Sequence, residues 1–234
     1  TRRSSDLSAQ GTFAGNLIVG GAKYSLRGRF DDKGAAHTLA TRSGQASLTV
    51  DLNLDLFGAT DRIYGTVSDG TWTAILEGDR AGALSSTGVQ PGAYTLFIPG
   101  GEDTEVLPGG HGFGAAIVSA TGRRLKLVGT LGDGTRLNQT AAVSKAGRWP
   151  LYASLYGGGG AIFGWMTFDS NPTLGVQGDL LWFKSPSAKD QFYPAGFAVQ
   201  PSISGEIYHV PGGGERLLNW TAGVVVLAGG YLNS

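Results

Sequence analysis

The chain has 234 residues, with eighteen basic side chains balanced by eighteen acidic ones, 40 glycines and no cysteine. A neutral total provides no long-range field to draw in nucleic acid or an anionic surface, and the missing thiols exclude disulfides, zinc-thiolate sites and cysteine nucleophiles. With 41% of residues hydrophobic and 10% aromatic, the glycines punctuate folded structure rather than disorder.

Taken in chain order, apolar runs alternate with turn residues. "GTFAGNLIV" (11–19) and "YSLRGRF" (24–30) flank Gly20 and Gly21, a residue type that accepts the positive φ of tight hairpin turns. From Leu48 to Leu56 the apolar positions are Leu48, Val50, Leu52, Leu54 and Leu56, a period of two that marks a half-buried strand. Strands of the same kind are expected at "RIYGTV", "TWTAILEG", "AYTLFI", "GAAIVSA", "RLKLVGTL", "PLYASLY", "AIFGWMTF", "DLLWF" and "AGVVVLAG". Helical periodicity is hard to find, so the expected fold is all-β and antiparallel. The longest apolar stretch, "AGVVVLAGG", is far short of the roughly 18 residues of a spanning helix, and no signal peptide is read at the start.

The two halves resemble each other. "YSLRGRFDDKG" (24–34) aligns with "LKLVGTLGDG" (125–134), and "IYGTVSDG" (63–70) with "IFGWMTFD" (162–169). A duplicated meander follows, with residues 1–90 as a first unit and 91–234 as a second, together forming one compact domain. The halves either close into a β-barrel, which removes edge strands, or pack as two sheets. The stretch 183–205, with three prolines and no clean alternation, is expected to be a long loop.

The segment "GRWPLYASLYGGGGAIFGWMTFD" (147–169) places four glycines between two aromatic runs. It lacks both GxxxxGK[ST] and GxGxxG offsets, and no helix follows, so a phosphate loop is excluded; strong strands on both sides argue against a linker. As a hairpin closed by Gly157 to Gly160, it would pair Tyr156 with Ala161, Ser154 with Phe163 and Tyr152 with Trp165. One face then carries Tyr152, Tyr156, Phe163 and Trp165; the other carries Leu151, Ala153, Leu155, Ile162 and Met166 and belongs in the core. The aromatic face is either a second buried layer or subunit contact, or an exposed platform that stacks on sugar rings. For the second reading the candidate ligand-binding residues are Trp149, Tyr152, Tyr156, Trp165, Trp182 and Tyr193.

Catalytic patterns are absent from the sequence. His37, His111 and His209 each stand alone, without HExxH spacing or a GxSxG elbow. Asp51 and Asp55 sit on one strand face roughly 13 Å apart at about 3.3 Å per residue, too far for a glycosidase pair, which needs about 5 to 9.5 Å. "GEDTE" (101–105) lacks the ordered spacing of a calcium loop, and Asp31, Asp32, Asp69 and Asp133 lie in turn signatures. No metal, cofactor or catalytic residue is expected.

"DGTRLNQTAAVSKAGRWPLYASLYGGGGAIFGWMTF", "DQFYPAGF" and "VVVLAGGYLNS" together resemble a glycine-rich β domain found toward the C-terminal ends of very large multidomain secreted or surface proteins of environmental bacteria. The matching positions are Asp133 to Thr135, Trp149 to Tyr152, Leu155 to Gly158, Gly164 and Trp165, Tyr193 to Phe197, and Leu227 to Gly230. The resemblance covers most of the chain, more strongly from Pro91 onward. It implies an extracytoplasmic location and attachment to other modules of one polypeptide, and it transfers no catalytic residue. The expected function is a non-catalytic structural or adhesive module. Carbohydrate binding through the aromatic residues is one alternative, and a lipocalin-like carrier of a small apolar ligand is another. A hydrolase using scattered carboxylates ranks last. Self-assembly through "AGVVVLAGG" adding to a neighbour's sheet stays open.

Overall fold

The computed structural model describes residues 6–7, 10–58, 60–82, 89–169, 175–218 and 220–224. Described residues before position 80 form two small antiparallel sheets. The first contains β1 (Asp6–Leu7), β2 (Thr12–Val19) and β3 (Ala22–Arg29); the second contains β4 (Ala35–Ala40), β5 (Leu48–Leu54), β6 (Arg62–Ser68) and β7 (Thr73–Asp79), paired in chain order. The alternation of β5 is realised directly: Leu48, Val50 and Leu52 are buried, and Asp51 and Asn53 face out. These residues share one core with Phe13, Leu26, Phe30, Ala40 and Val67, so the two sheets enclose a single apolar cluster. The β6–β7 turn is built on Asp69, whose Oδ1 accepts the Thr71 hydroxyl at 2.7 Å and the Thr71 amide at 3.0 Å, while Oδ2 accepts from Arg42 at 3.1 Å. Thr71 first, and Arg42 after it, hold the Asp69 carboxyl well below the usual carboxylate range.

The second set of strands curls into a nearly closed barrel. Its members are β8 (Gly92–Ile98), β9 (Gly112–Val118), β10 (Arg124–Thr130), β11 (Arg136–Ala142), β12 (Arg148–Leu155), β13 (Gly160–Phe168), β14 (Val176–Lys184), β15 (Phe197–Val199) and β16 (Ser202–Ile207). The order around the barrel is β11-β10-β9-β8-β16-β14-β13-β12, with β15 paired to the far half of β14. Inward-facing positions every second residue supply a filled interior that includes Trp149, Trp182, Met166, Ile162 and Leu180. Between β11 and β12 no backbone ladder forms. Gln139 of β11 bridges that seam, its Nε2 donating to the Pro150 carbonyl at 2.8 Å and its Oε1 accepting Trp149 Nε1–H at 3.0 Å. Proline lacks the N–H that a ladder would need there, which is why it is tolerated at a strand edge.

Strand starts recur at similar spacing in the two parts of the chain. β2 to β7 begin at residues 12, 22, 35, 48, 62 and 73, and β9 to β14 at 112, 124, 136, 148, 160 and 176, a repeat of about a hundred residues. The barrel is completed within the second copy alone. The two parts meet through charge and backbone: Arg148 forks onto Asp79 at 2.6 and 2.8 Å, Lys145 binds Asp61, which Arg80 of the first part also holds, and the Gly82 amide donates to the Val143 carbonyl at 3.0 Å.

Several boundaries differ from the reading of the sequence. β4 and β11 were not anticipated, because "AAHTLA" and "RLNQTAA" carry His37 and Gln139 among small residues and lack a strong apolar alternation. The stretch expected to be a loop over 183–205 begins inside β14, spans 185–196 as a true loop, and ends in β15 and β16. The last strand expected from sequence, at 222–229, lies mostly outside the described residues; Ala222, Gly223 and Val224 are described and are not in a strand. No helix among the described residues is long and apolar enough to cross a membrane.

Candidate functional site

The aromatic hairpin β12–β13 is the place to look for a surface that binds. Its register pairs Tyr152 with Phe163, Ser154 with Ala161 and Leu155 with Gly160. The turn therefore starts at Tyr156, one residue before the first glycine, and Gly160 already belongs to β13. Relative to the pairing expected from sequence the strands are shifted by two residues, which preserves the faces because side chains alternate with period two. Leu151, Ala153, Leu155, Ile162 and Met166 are accordingly in the core, and Tyr152, Phe163 and Trp165 share the outer face.

Trp149 and Trp182 stand in the barrel interior, fully buried, and offer nothing to a ligand ring. Both were candidate ligand-binding residues under the carbohydrate alternative; the alternation that buries Leu151 and Leu180 buries them too, since each lies two residues along the same face. Tyr156 leaves the strand with φ +52° and turns toward the barrel mouth. There its hydroxyl donates to Asp133 Oδ2 at 2.6 Å and accepts Trp182 Nε1–H at 3.0 Å. Asp133 thus does more than close its turn, where its Oδ1 accepts the Thr135 amide at 2.9 Å. Tyr193, also with positive φ, packs edge-on against Phe197, and its carbonyl accepts from the buried Lys184 ammonium at 2.9 Å. Lys184 also binds Asp190 at 2.6 Å, whose carboxyl it holds below its ordinary value, so the 185–196 loop is pinned to the barrel from inside. Trp165 is half-buried under the Arg148 guanidinium, 4.5 Å from its ring centre. Of the six candidate residues, Tyr152 lines an open depression.

Burial first, and the Asp133 carboxylate second, push the Tyr156 phenol well above its ordinary value of 10.0. A raised folded-state value means the stabilisation is intact below pH 10 and drains away as pH rises above it toward the folded value, because the unfolded chain ionises first. Tyr156→Phe is expected to lower stability at pH 7, by leaving the Asp133 oxygen and the Trp182 N–H without their partner, and to flatten the loss above pH 10. Urea midpoints across pH 7 to 11 for both proteins check this.

The open surface centres on Phe163, 39% exposed, which no sequence motif singled out from its neighbours. On one side of it lies a cleft of about 260 Å³ floored by Tyr152, Ala161 and Phe183 and walled by Ile18, Gly20 and Gly21 from the β2–β3 turn. On the other side a second depression of about 430 Å³ is lined by Asp179, Gln200 and Ser202 together with Leu181. The Asp179 carboxylate accepts the Ser202 hydroxyl at 2.6 Å. The glycine turn makes this arrangement possible. Gly158 has φ +100°, and a Cβ on Gly21 would stand 2.8 Å from its Cα, so the two turns meet at a distance that side chains would forbid.

Several aspartates and histidines elsewhere have local partners. His37 Nδ1 bonds Asp51 at 2.7 Å, Asp55 accepts from the Gly58 amide and the Thr60 hydroxyl, and His111 accepts the Gly100 amide while stacking near Phe97. Among the described residues no group of three or more His, Asp or Glu side chains is placed to hold a metal ion. No family model, curated protein or solved structure matches the chain. The reading of function therefore stands on this geometry and on the motifs.

Proposed function

We propose that the chain is a non-catalytic adhesive module of a larger secreted or cell-surface bacterial protein, and that its contact surface is the Phe163 face, with a saccharide as the ligand class. The observation that carries this is the position of Phe163 between an aromatic cleft and a polar depression. A pyranose presents an apolar face and a rim of hydroxyls; stacking on Phe163 and Tyr152 leaves that rim beside Asp179 and Gln200. The module reading and the extracytoplasmic location are further supported by the motif resemblance, and attachment to neighbouring modules by the same motifs. A carrier of a small apolar ligand is less well supported, because Trp149, Trp182, Met166 and Leu180 occupy the volume such a ligand would need.

The test is isothermal titration of the purified chain against a panel of soluble polysaccharides, with pull-down on insoluble ones. Phe163→Ala is expected to weaken binding about tenfold or more, the equivalent of about 1.4 kcal/mol, with only a small fall in thermal stability, since the ring is partly exposed and packs edge-on against Phe183. Asp179→Asn is expected to weaken it by a smaller factor. Binding that survives both replacements would move the contact surface elsewhere, and silence across the panel would remove saccharide as the ligand class.

A further inference from the structure

On the barrel exterior, β11 turns Arg136, Asn138 and Thr140 outward and β16 turns out Ser202, Ser204 and Glu206, all polar. The three strands between them differ. Their register places Phe97 beside Phe113, Thr95 beside Ala115 and Val128, and Ala93 beside Ile117 on the outer face of β8, β9 and β10. Phe113 is 61% exposed, and Phe97, Ile117 and Val128 are exposed as well. Single exposed apolar side chains are ordinary, whereas a contiguous group on one sheet face marks a contact. One end of the group is preassembled: the Phe97 ring centre lies 5.8 Å from that of Phe113 and 4.9 Å from that of His111, whose Nδ1 accepts the Gly100 amide at 3.1 Å. Rings already held in place lose little freedom on binding.

The charges flanking this apolar strip are sorted by sign. On one side the outward charges of β10 and β11 are Arg124, Lys126 and Arg136; on the other, β16 carries Glu206 and β14 beyond it carries Asp179. A second molecule of the chain, laid face to face, is therefore complementary in one orientation. With the two-fold axis along β9, Phe113 and Ile117 meet their own counterparts, and the Glu206 side of each molecule covers the Lys126 and Arg136 side of the other. With the axis across the strands, each basic side would face a basic side and Glu206 would face Glu206, which like-charge repulsion disfavours. The five strands from β11 to β16 have six or seven residues each. They present a face of roughly 24 by 24 Å, or roughly 1,200 Å² over both partners, at the lower end of specific interfaces. The contact is accordingly expected to be reversible and concentration-dependent.

We propose that the chain pairs with a second molecule of itself through the outer face of β8, β9 and β10, about a two-fold axis running along β9. The contact is isologous, with an apolar centre and a charged rim. β9 and β13 stand four places apart in the ring of eight strands, so the paired molecules turn their Phe163 faces away from each other. Under the saccharide reading such a pair links two saccharide-bearing surfaces instead of gripping one. The pairing itself does not rest on that reading, because Phe163 and its cleft take no part.

Mass measured by light scattering after size exclusion, over a range of protein concentration, reads the pairing. The chain is expected to rise from 24.2 kDa toward twice that value and to stop there, because a two-fold contact is closed. Phe113→Lys is expected to weaken pairing about tenfold or more, since each new charge meets its counterpart in an apolar centre, and to leave thermal unfolding nearly unchanged at so exposed a position. Arg136→Glu and Glu206→Lys are each expected to weaken pairing several-fold, and the chain carrying both exchanges to recover most of the loss. Within one molecule these two residues are four strands apart, about 19 Å, so recovery reads a contact between molecules. A chain that stays single at every concentration overturns the proposal, as does a pair indifferent to Phe113→Lys, a double exchange without recovery, or assembly that grows beyond two. A single molecule that Phe113→Lys destabilises by several degrees would place a segment of the same chain over the face, and would overturn it too.

Discussion

Replacing Gln139 with leucine is expected to lower the unfolding free energy by about 2–4 kcal/mol, the cost of leaving two buried polar groups unpaired, partly offset by the added apolar surface. The two groups are the Trp149 indole N–H and the Pro150 carbonyl, both now bonded to the one side-chain amide. Among the described residues Gln139 is one of three buried polar or charged residues, and it sits at a position where its strand neighbours Leu137 and Ala141 are buried apolar residues. The amide is there because β11 and β12 share no ladder, and a side chain must satisfy what backbone satisfies elsewhere in the barrel. Trp149→Phe removes the donor and keeps most of the volume, so the double replacement with Gln139→Leu should fall short of the sum of the singles by about 1 kcal/mol. Urea unfolding of the four proteins measures this coupling. Full additivity would mean that the amide and the indole do not act together.

A second large effect is expected at the junction of the two copies. Asp79→Ala should destabilise the chain by about 2–4 kcal/mol, near the lower end of the cost of orphaning a buried charge because Arg148 retains some contact with water. The Asp79 side chain is 4% exposed and that of Arg148 is 19% exposed, and the carboxylate raises the guanidinium pKa further. What makes this pair consequential is its position. Asp79 ends β7, Arg148 begins β12, and the ion pair joins two hydrophobic clusters that share no residue. Weakening it should split one unfolding transition into two, the small sheets melting before the barrel. Replacing both partners with leucine should restore much of the stability, since the penalty belongs to the unpaired charge rather than to the absent pair. Differential scanning calorimetry of the single and double variants distinguishes these outcomes. A single undivided transition for Asp79→Ala would show that the remaining contacts through Asp61 and Gly82 hold the copies together without it.

The architecture was legible in the sequence to the extent that local periodicity encodes it. A side-chain period of two assigns each strand residue to a face without knowledge of its partner, so Leu151, Ala153, Leu155, Ile162 and Met166 could be placed in the core although the register of their hairpin was read two residues out. The same rule, carried from Leu151 back to Trp149 and from Leu180 on to Trp182, buries both tryptophans. The similar spacing of strands in the two parts was equally visible, because corresponding strands keep their turn glycines.

Only the tertiary structure decided what depends on contacts between distant segments. That the glycine turn bears on Gly21, that Phe163 lies between Tyr152 and Asp179, that Gln139 closes the seam and that Arg148 finds Asp79 are all pairings across at least ten positions. No periodicity carries that information, since many registers and strand orders satisfy the same alternation. The asymmetry between the copies has the same origin. Two similar meanders were read from sequence; the second part of the chain curls into a nearly closed barrel, whereas among the described residues the first forms two smaller sheets.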